Sequence, residues 1–326
     1  MRIIFFGTPD FAANNLQHLI EKEYNIVAIV TPPDSRKGRG KQLKECAVKK
    51  VGTKNKIPVL QPLKLKDKHF INELTSFNAN LFVVVAFRMI PDIVWKIPSK
   101  GTINLHTSLL PNYRGAAPIN WVLINGEKQT GISTFFINNE IDSGDIILQK
   151  RIELSNKTTA GQLHNILMNK GKLLLEDTLH LIQESKIRSI KQKITPGIKE
   201  APKLSKDLLK INWNKSANKI HNLVRGLSPL IEKETILKDI AICPSAWFIL
   251  EDENQKQKRV KIHLTKVIKN NYSNINHIET DNKSFLHIHA KKDLLSVLNL
   301  QMEGKKAMTI QQFLQGNKLT NQFKAL

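Results

Sequence analysis

The first half of the chain alternates between short apolar runs and stretches whose apolar residues recur at helical spacing. Strands are predicted at Arg2 to Phe6, Asn25 to Val30, Pro58 to Leu60, Leu81 to Ala86, Thr102 to His106, Thr130 to Ile137 and Asp145 to Gln149. Helices are predicted from Asp10 to Glu21, about Asp67 to Phe77, and Thr159 to about Glu184, the last with Leu163, Ile166, Leu167, Leu174 and Leu181 as its apolar stripe. Strand alternating with helix implies an α/β fold with a Rossmann-like parallel sheet. The turn Gly7-Thr8-Pro9-Asp10 after the first strand is not GxGxxG, which weakens a dinucleotide reading.

The pattern changes past Lys186. Residues 186 to 206 are rich in Lys, contain Pro196-Gly197 and Pro202, and have little apolar periodicity, so they read as a linker. A helix then follows from Ser216 to Leu227, with Ile220, Leu223 and Val224 on one face. Short β-like runs at Ala246–Leu250, Val260–Val267, Phe285–His289 and Leu294–Gln301 suggest a small C-terminal β-barrel. The expected division is a catalytic domain at 1–188, a linker at 189–206 and a barrel domain at 207–326. His287 and His289 alternate on one strand face with no carboxylate or thiol partner in view, and no metal site is expected.

Composition adds two constraints. The formal net charge is +22, and residues 201–326 carry 21 Lys and Arg against 11 Asp and Glu, so both halves are basic. Such a balance attracts polyanions, nucleic acid first among them. The two cysteines, Cys46 and Cys243, are far apart with no metal spacing around them, and no run has the length of a membrane span. A reducing, cytoplasmic setting is expected.

Candidate chemistry gathers in GTINLHTSLLPNYRGAAP, Gly101 to Pro118. Side chains alternate along a strand, so Asn104 and His106 share a face at its end. In open α/β sheets ligands bind at the carboxyl ends of strands. Downstream, Ile141-Asp142-Ser143-Gly144-Asp145 offers a carboxylate, and if the two loops meet, amide, imidazole and carboxylate form one constellation. Taken alone, an Asn or His at a strand end and an Asp-Ser-Gly-Asp turn are ordinary structural features. Pro32 to Lys41 is a second unusual stretch, with four basic residues, two glycines and no apolar anchor before Leu43. It is either a solvated loop or one that orders against phosphates.

NLHTSLLPNYRGAAPINW with IDSGD downstream resembles the signature of the folate-dependent formyltransferases. The start MRIIFFGTPDFA, the loop TPPDSRKGRGKQL, and AFRMIP, APKLSK, INWNKSANKIHNLVRGLSP and LQMEGKKAM narrow the resemblance to the methionyl-tRNA formyltransferases, across nearly the whole chain. The resemblance implies transfer of a formyl group from 10-formyltetrahydrofolate, released as tetrahydrofolate, to the α-amino group of methionyl initiator tRNA for translation initiation. It implies no metal and no obligate protein partner, so a monomer is expected.

By the same resemblance, Asn104, His106 and Asp142 are the catalytic residues, and Ser108, Leu109, Leu110 and Pro111 form a folate-contacting wall. The basic loop enters the tRNA acceptor arm, with Arg39 as the important contact and Arg36, Lys37 and Lys41 adding phosphate attraction. The C-terminal barrel is OB-like and clasps the tRNA. Arg114 holds the loop or meets folate or tRNA. Two departures stand out: Arg88 replaces the Gly of many members in a folate-pocket loop, and Leu230 to Cys243 is an extra segment.

The residue types suit the reaction. An aminoacyl α-amine, ordinarily titrating near about 7.7–8 and lower when its carboxyl is esterified, needs no covalent enzyme intermediate to attack a formyl carbon. Asn104 and a protonated His106 can donate to the developing oxyanion, while Asp142 orients the imidazole. Whether His106 or Asp142 moves the proton stays open. Two other readings are carried: a formyltransferase or formyl-folate hydrolase acting on a small molecule, disfavoured by the basic loop and barrel, and a tRNA-binding protein without catalysis, disfavoured by the intact Asn, His and Asp.

Overall fold

In the computed structural model, strands β1 (Arg2–Gly7), β2 (Asn25–Val30), β3 (Ser35–Lys37), β4 (Gln42–Lys44), β5 (Val59–Leu60), β6 (Leu81–Val85), β7 (Thr102–His106), β8 (Gln129–Phe136) and β9 (Ile146–Glu153) occupy the first half of the chain. The structure describes residues 1–37, 42–232, 235–237, 242–271, 274–320 and 322–326. Two compact units emerge: one of residues 1–114, 131–152 and 166–199, the other of 115–130, 153–165 and 200–326.

The sheet of the first unit has the order β5-β2-β1-β6-β7-β8-β9. The pairs from β5 through β7 are parallel, as the alternation predicts, and β8 joins β7 antiparallel. The runs IIFF, AIV and LFVVV are apolar at every position because helices cover both faces of a parallel sheet. Ile4, Phe6, Val30, Phe82 and Val84 pack on one side with Phe70 and Leu74 of α3 (Lys68–Ser76). Alternation sends Ile3, Phe5, Val83 and Val85 to the other side, and none is more than 1% exposed.

Helix boundaries follow local chemistry. Asp67 caps α3 by accepting from the backbone N–H of His69 and Phe70. Cys46, with no disulfide, caps α2 (Ala47–Lys54) through its sulfur. Helix α1 (Asp10–Glu21) opens with Asp10 in its first turn, where a carboxylate suits the helix dipole. The chain leaves β1 for β2 on one side and returns at β6 on the other. This reversal is the switch point at which α/β sheets open a crevice. A Cβ on Gly7 would come within 2.7 Å of Ala12, so only glycine permits the turn into α1.

The second unit carries α4 (Pro118–Ile124), α5 (Ala217–Leu227), α6 (Ile310–Gly316) and an antiparallel sheet. Its strands are β12 (Ala246–Glu251), β13 (Gln257–Ile268), β14 (Ile278–Thr280), β15 (Leu286–His289), β16 (Leu294–Met302) and β18 (Lys324–Ala325), in the order β14-β15-β16-β13-β12-β18, with β17 (Met308–Thr309) on β16. A bridge from His277 to Lys324 ties the two ends of that order together, so the sheet comes close to closing as a barrel. Trp213, Phe248, Ile262, Val297 and Phe313 fill it. The segment from Leu230 begins with a hairpin of β10 (Leu230–Glu232) and β11 (Thr235–Ile236), rooted by Leu230 accepting from the Thr159 hydroxyl. Among the described residues no helix is long and apolar enough to cross a membrane.

Candidate active site

β7 sits between β6 and β8, so its carboxyl end opens beside the switch point. Register places Asn104 beside Val84 and Phe135, and His106 beside Ser133. The two side chains share a face, as expected. His106 is 7% exposed, and its Nε2 donates to the carbonyl of Tyr113 at 2.8 Å. A carbonyl only accepts, which assigns a proton to Nε2. Nδ1 faces the Asp142 carboxylate at 3.5 Å, longer than a tight charge-assisted bond and within ion-pair range. The two loops therefore meet, and a ring protonated on both nitrogens finds an acceptor at each. Asn104 is only partly buried, and among the described residues its side-chain amide makes no hydrogen bond.

The Asp142 turn is tightly specified. A Cβ on Gly144 would lie 1.7 Å from the carbonyl oxygen of Phe136, so no other residue fits there. Asn138 accepts from the Ser143 hydroxyl at 2.8 Å and from the Glu140 N–H at 3.0 Å. Asp142 itself has φ +49°, and left-handed backbone recurs at Tyr113 (+60°) and Ala86 (+48°). Each of the three loops at this edge thus holds a non-glycine residue in a sparsely populated conformation, a kind of strain that concentrates at functional sites.

The loop after β7 is stitched from within. The Ser108 hydroxyl donates to Asn112 O at 2.6 Å, and Ser133 donates to Ser108 O at 2.6 Å. The Gln149 amide reaches both Leu110 O and Ser133. Leu110, which precedes a cis bond to Pro111, is buried with Phe135 and Ile146. Of the four wall residues, Ser108 and Leu110 thus face inward, while Leu109 and Pro111 remain partly exposed. Arg114 holds the loop: its Nε and Nη2 donate to Gln192 Oε1 at 3.1 and 2.7 Å. Tyr113, Ser133, Gln149 and Gln192 were not singled out from sequence. Ser133, Gln149 and Gln192 act through partners 16 to 78 positions away, and Tyr113 through a backbone carbonyl that any residue would supply, so none carries a local signature.

Across the crevice, Phe87 packs edge-on against Phe6, which is the core arrangement. The Arg88 guanidinium donates to Pro62 O and Leu63 O, tying two loops. Beside it, Leu63 is 82% and Met89 74% exposed. Exposed apolar side chains such as these offer surface that a flat ring system can cover.

The basic loop leaves the same sheet as a hairpin of β3 and β4. Asp34 at its root is gripped by Lys49 at 2.5 Å and Gln61 at 2.9 Å, and the Lys49 bond holds the carboxyl below its ordinary range. Arg39 and Lys41 lie outside the described residues, as do the side chains of Arg36 and Lys37.

In the barrel, Ala246, Phe248 and Leu250 point inward, which turns Trp247 outward. Lys210 and Arg259 lie 5.9 and 5.7 Å from its ring, and Lys261 is its cross-strand partner. One expectation needs correction: His289 does have a carboxylate partner, Glu279, at 2.5 Å. Sequence spacing missed it because Glu279 arrives on β14, whose register sets it opposite His287. Among the described residues no His, Cys, Asp and Glu cluster could hold a metal ion.

The chain matches the family model described as Formyl transferase over residues 1–192, and that of Formyl transferase, C-terminal domain, over 203–318. It is similar to a methionyl-tRNA formyltransferase of Flavobacterium johnsoniae, 43% identical over 316 residues, covering 97% of this chain and 96% of that one. A Bacteroides fragilis protein of the same name is 40% identical over 328 residues, covering 99% and 97%. Among solved structures it is similar to WlaRD, a sugar 3N-formyl transferase crystallised in the presence of dTDP and 5-N-formyl-THF. That match has a TM-score of 0.62 at 21% identity, covering 94% of this chain and 98% of that one, and concerns the fold.

Proposed function

We propose a function from one premise: the chain belongs to the formyl transferase family, whose two models between them span most of its length. It is an enzyme that transfers a formyl group to the α-amino group of methionyl initiator tRNA. 10-Formyltetrahydrofolate brings that group and leaves as tetrahydrofolate. The observation that carries the reading is the His106–Asp142 pair at the carboxyl end of β7 with the Asn104 amide, which makes no hydrogen bond among the described residues, on the same strand face.

Asn104 donates to the formyl oxygen as negative charge builds there. Both ring nitrogens of His106 already face an acceptor, so the proton shed by the attacking amine passes to Asp142, whose side chain is the more exposed of the two, and on to the folate nitrogen as its bond to the formyl carbon breaks. His106 steadies that carboxylate. Leu109, Pro111 and the Ala86–Met89 loop hold the folate by apolar contact, with Ser108 setting the shape of the wall from inside.

Residues 1–188 make up the catalytic part, 189–206 connect it onward, and 207–326 form the tRNA-binding barrel. Arg39, with Arg36, Lys37 and Lys41, engages the acceptor arm from the hairpin rooted at Asp34. The reading needs no protein partner and places the enzyme in the cytoplasm as a monomer. The test is formyl transfer to methionyl initiator tRNA with methionyl elongator tRNA beside it. Transfer to the initiator alone supports the reading. Folate turnover without tRNA, or tight tRNA binding without transfer, removes it.

A further inference from the structure

We infer that Gln192 is a positioning residue for the transfer, holding the partners of both His106 nitrogens in one geometry; the inference rests on the reading above. Gln192 is 9% exposed, and its amide is fully used. Nε2 donates to the carbonyls of Asp142 at 2.9 Å and Gly144 at 2.7 Å, and Oε1 accepts twice from Arg114. An amide offers two N–H groups and two lone pairs, and all four are engaged.

The bonds reach both sides of the imidazole. On one side they bracket the turn whose carboxylate faces Nδ1, a turn that holds Asp142 at φ +49° and so needs surroundings that fix it. On the other they fix Arg114, next in the chain to Tyr113, whose carbonyl accepts from Nε2. The segment bearing Gln192 is itself pinned twice. Ile190 and Ile146 exchange backbone bonds of 2.8 and 2.9 Å, and Lys199 O accepts from Tyr113 N–H. A stretch that reads as a lysine-rich linker is therefore a strap across the site, with one buried polar side chain aimed at it.

Wild-type transfer is measured first, because its absence removes the functional reading and leaves the geometry to be tested separately. Gln192→Met keeps the volume and deletes all four bonds. It should lower kcat about 10- to 100-fold, with KM for both substrates within about 3-fold and the melting temperature lowered by only a few degrees, so that the protein stays folded at the assay temperature. In an Asp142→Asn background the same change should cost less than about 3-fold, because the two act through one interaction. Unaltered kcat, or equal losses in both backgrounds, overturns the proposal. If Gln192→Met does not fold, Arg114→Met deletes half of the link and carries the same prediction at smaller size. Independently of activity, the His106 ring 15N resonances should move in whichever of these variants folds, and unmoved resonances overturn the proposal as well.

Discussion

The crevice at the end of β7 and the outer face of the barrel around Trp247 are both polar, and they are built in opposite ways. At the crevice, Ser108, Ser133 and Gln192 are buried and hydrogen-bonded at 2.6 to 3.3 Å. At the barrel face, Lys210 and Arg259 lean on a half-buried ring at 5.9 and 5.7 Å, and Arg259 meets Glu303 at 3.4 Å with both side chains largely exposed. Moving a proton and stabilising a charge as it develops need donors fixed to within a fraction of an ångström. Attracting a phosphate backbone needs only positive charge within a Debye length, and each exposed contact contributes little by itself. The fixed region should therefore fail abruptly and the loose one gradually.

The largest effect expected is at the crevice. His106→Ala and Asn104→Ala should each lower kcat by about 10²- to 10⁴-fold while tRNA affinity stays within about 2-fold. Single-turnover transfer alongside filter binding separates the two quantities, and matched losses in both would erase the contrast between fixed and loose regions.

The buried imidazole of His263 on β13 offers the next effect. Burial drives His263 down to about 4 from its ordinary 6.5. The unfolded chain then takes up this proton first as pH falls. The contribution is complete above about pH 6.5 and fades toward pH 4, by about 3 kcal/mol at most. Thermal melts between pH 7 and 4.5 should show His263→Gln losing less stability than wild type. A parallel decline would place the acid sensitivity elsewhere.

Smaller changes belong to the charges. Arg39→Ala should reduce kcat/KM for the tRNA by about 10-fold and lower the salt slope of binding by about one phosphate contact, with folate KM unaltered. An unchanged rate at subsaturating tRNA would rule the contact out. Trp247→Ala, which frees Lys210 and Arg259 from their ring, should weaken tRNA binding only about 2- to 5-fold, most visibly at low salt. A loss as large as that of His106→Ala would mean that the barrel face is a fixed site after all.

Much of this was legible from the chain itself, for a physical reason. Apolar runs at Phe5, Ile29 and Val83 cannot face water, so they set where strands lie. Strand periodicity alone put Asn104 and His106 on one face, and local turn chemistry marked Asp142 and Gly144. The resemblance carried by NLHTSLLPNYRGAAPINW and IDSGD pointed to the reaction, since a motif is a local arrangement repeated where the same chemistry recurs. Only the tertiary structure decided that Nδ1 of His106 faces Asp142 while Nε2 is spoken for by Tyr113. It also decided that Ser108 turns inward, that Glu279 meets His289, and that Gln192 belongs to the site. Hydrogen bonds between residues 25 to 78 positions apart, such as Ser133 to Ser108 or Arg114 to Gln192, depend on where the packed sheet brings two backbones together, and neither partner's neighbours in the chain record that.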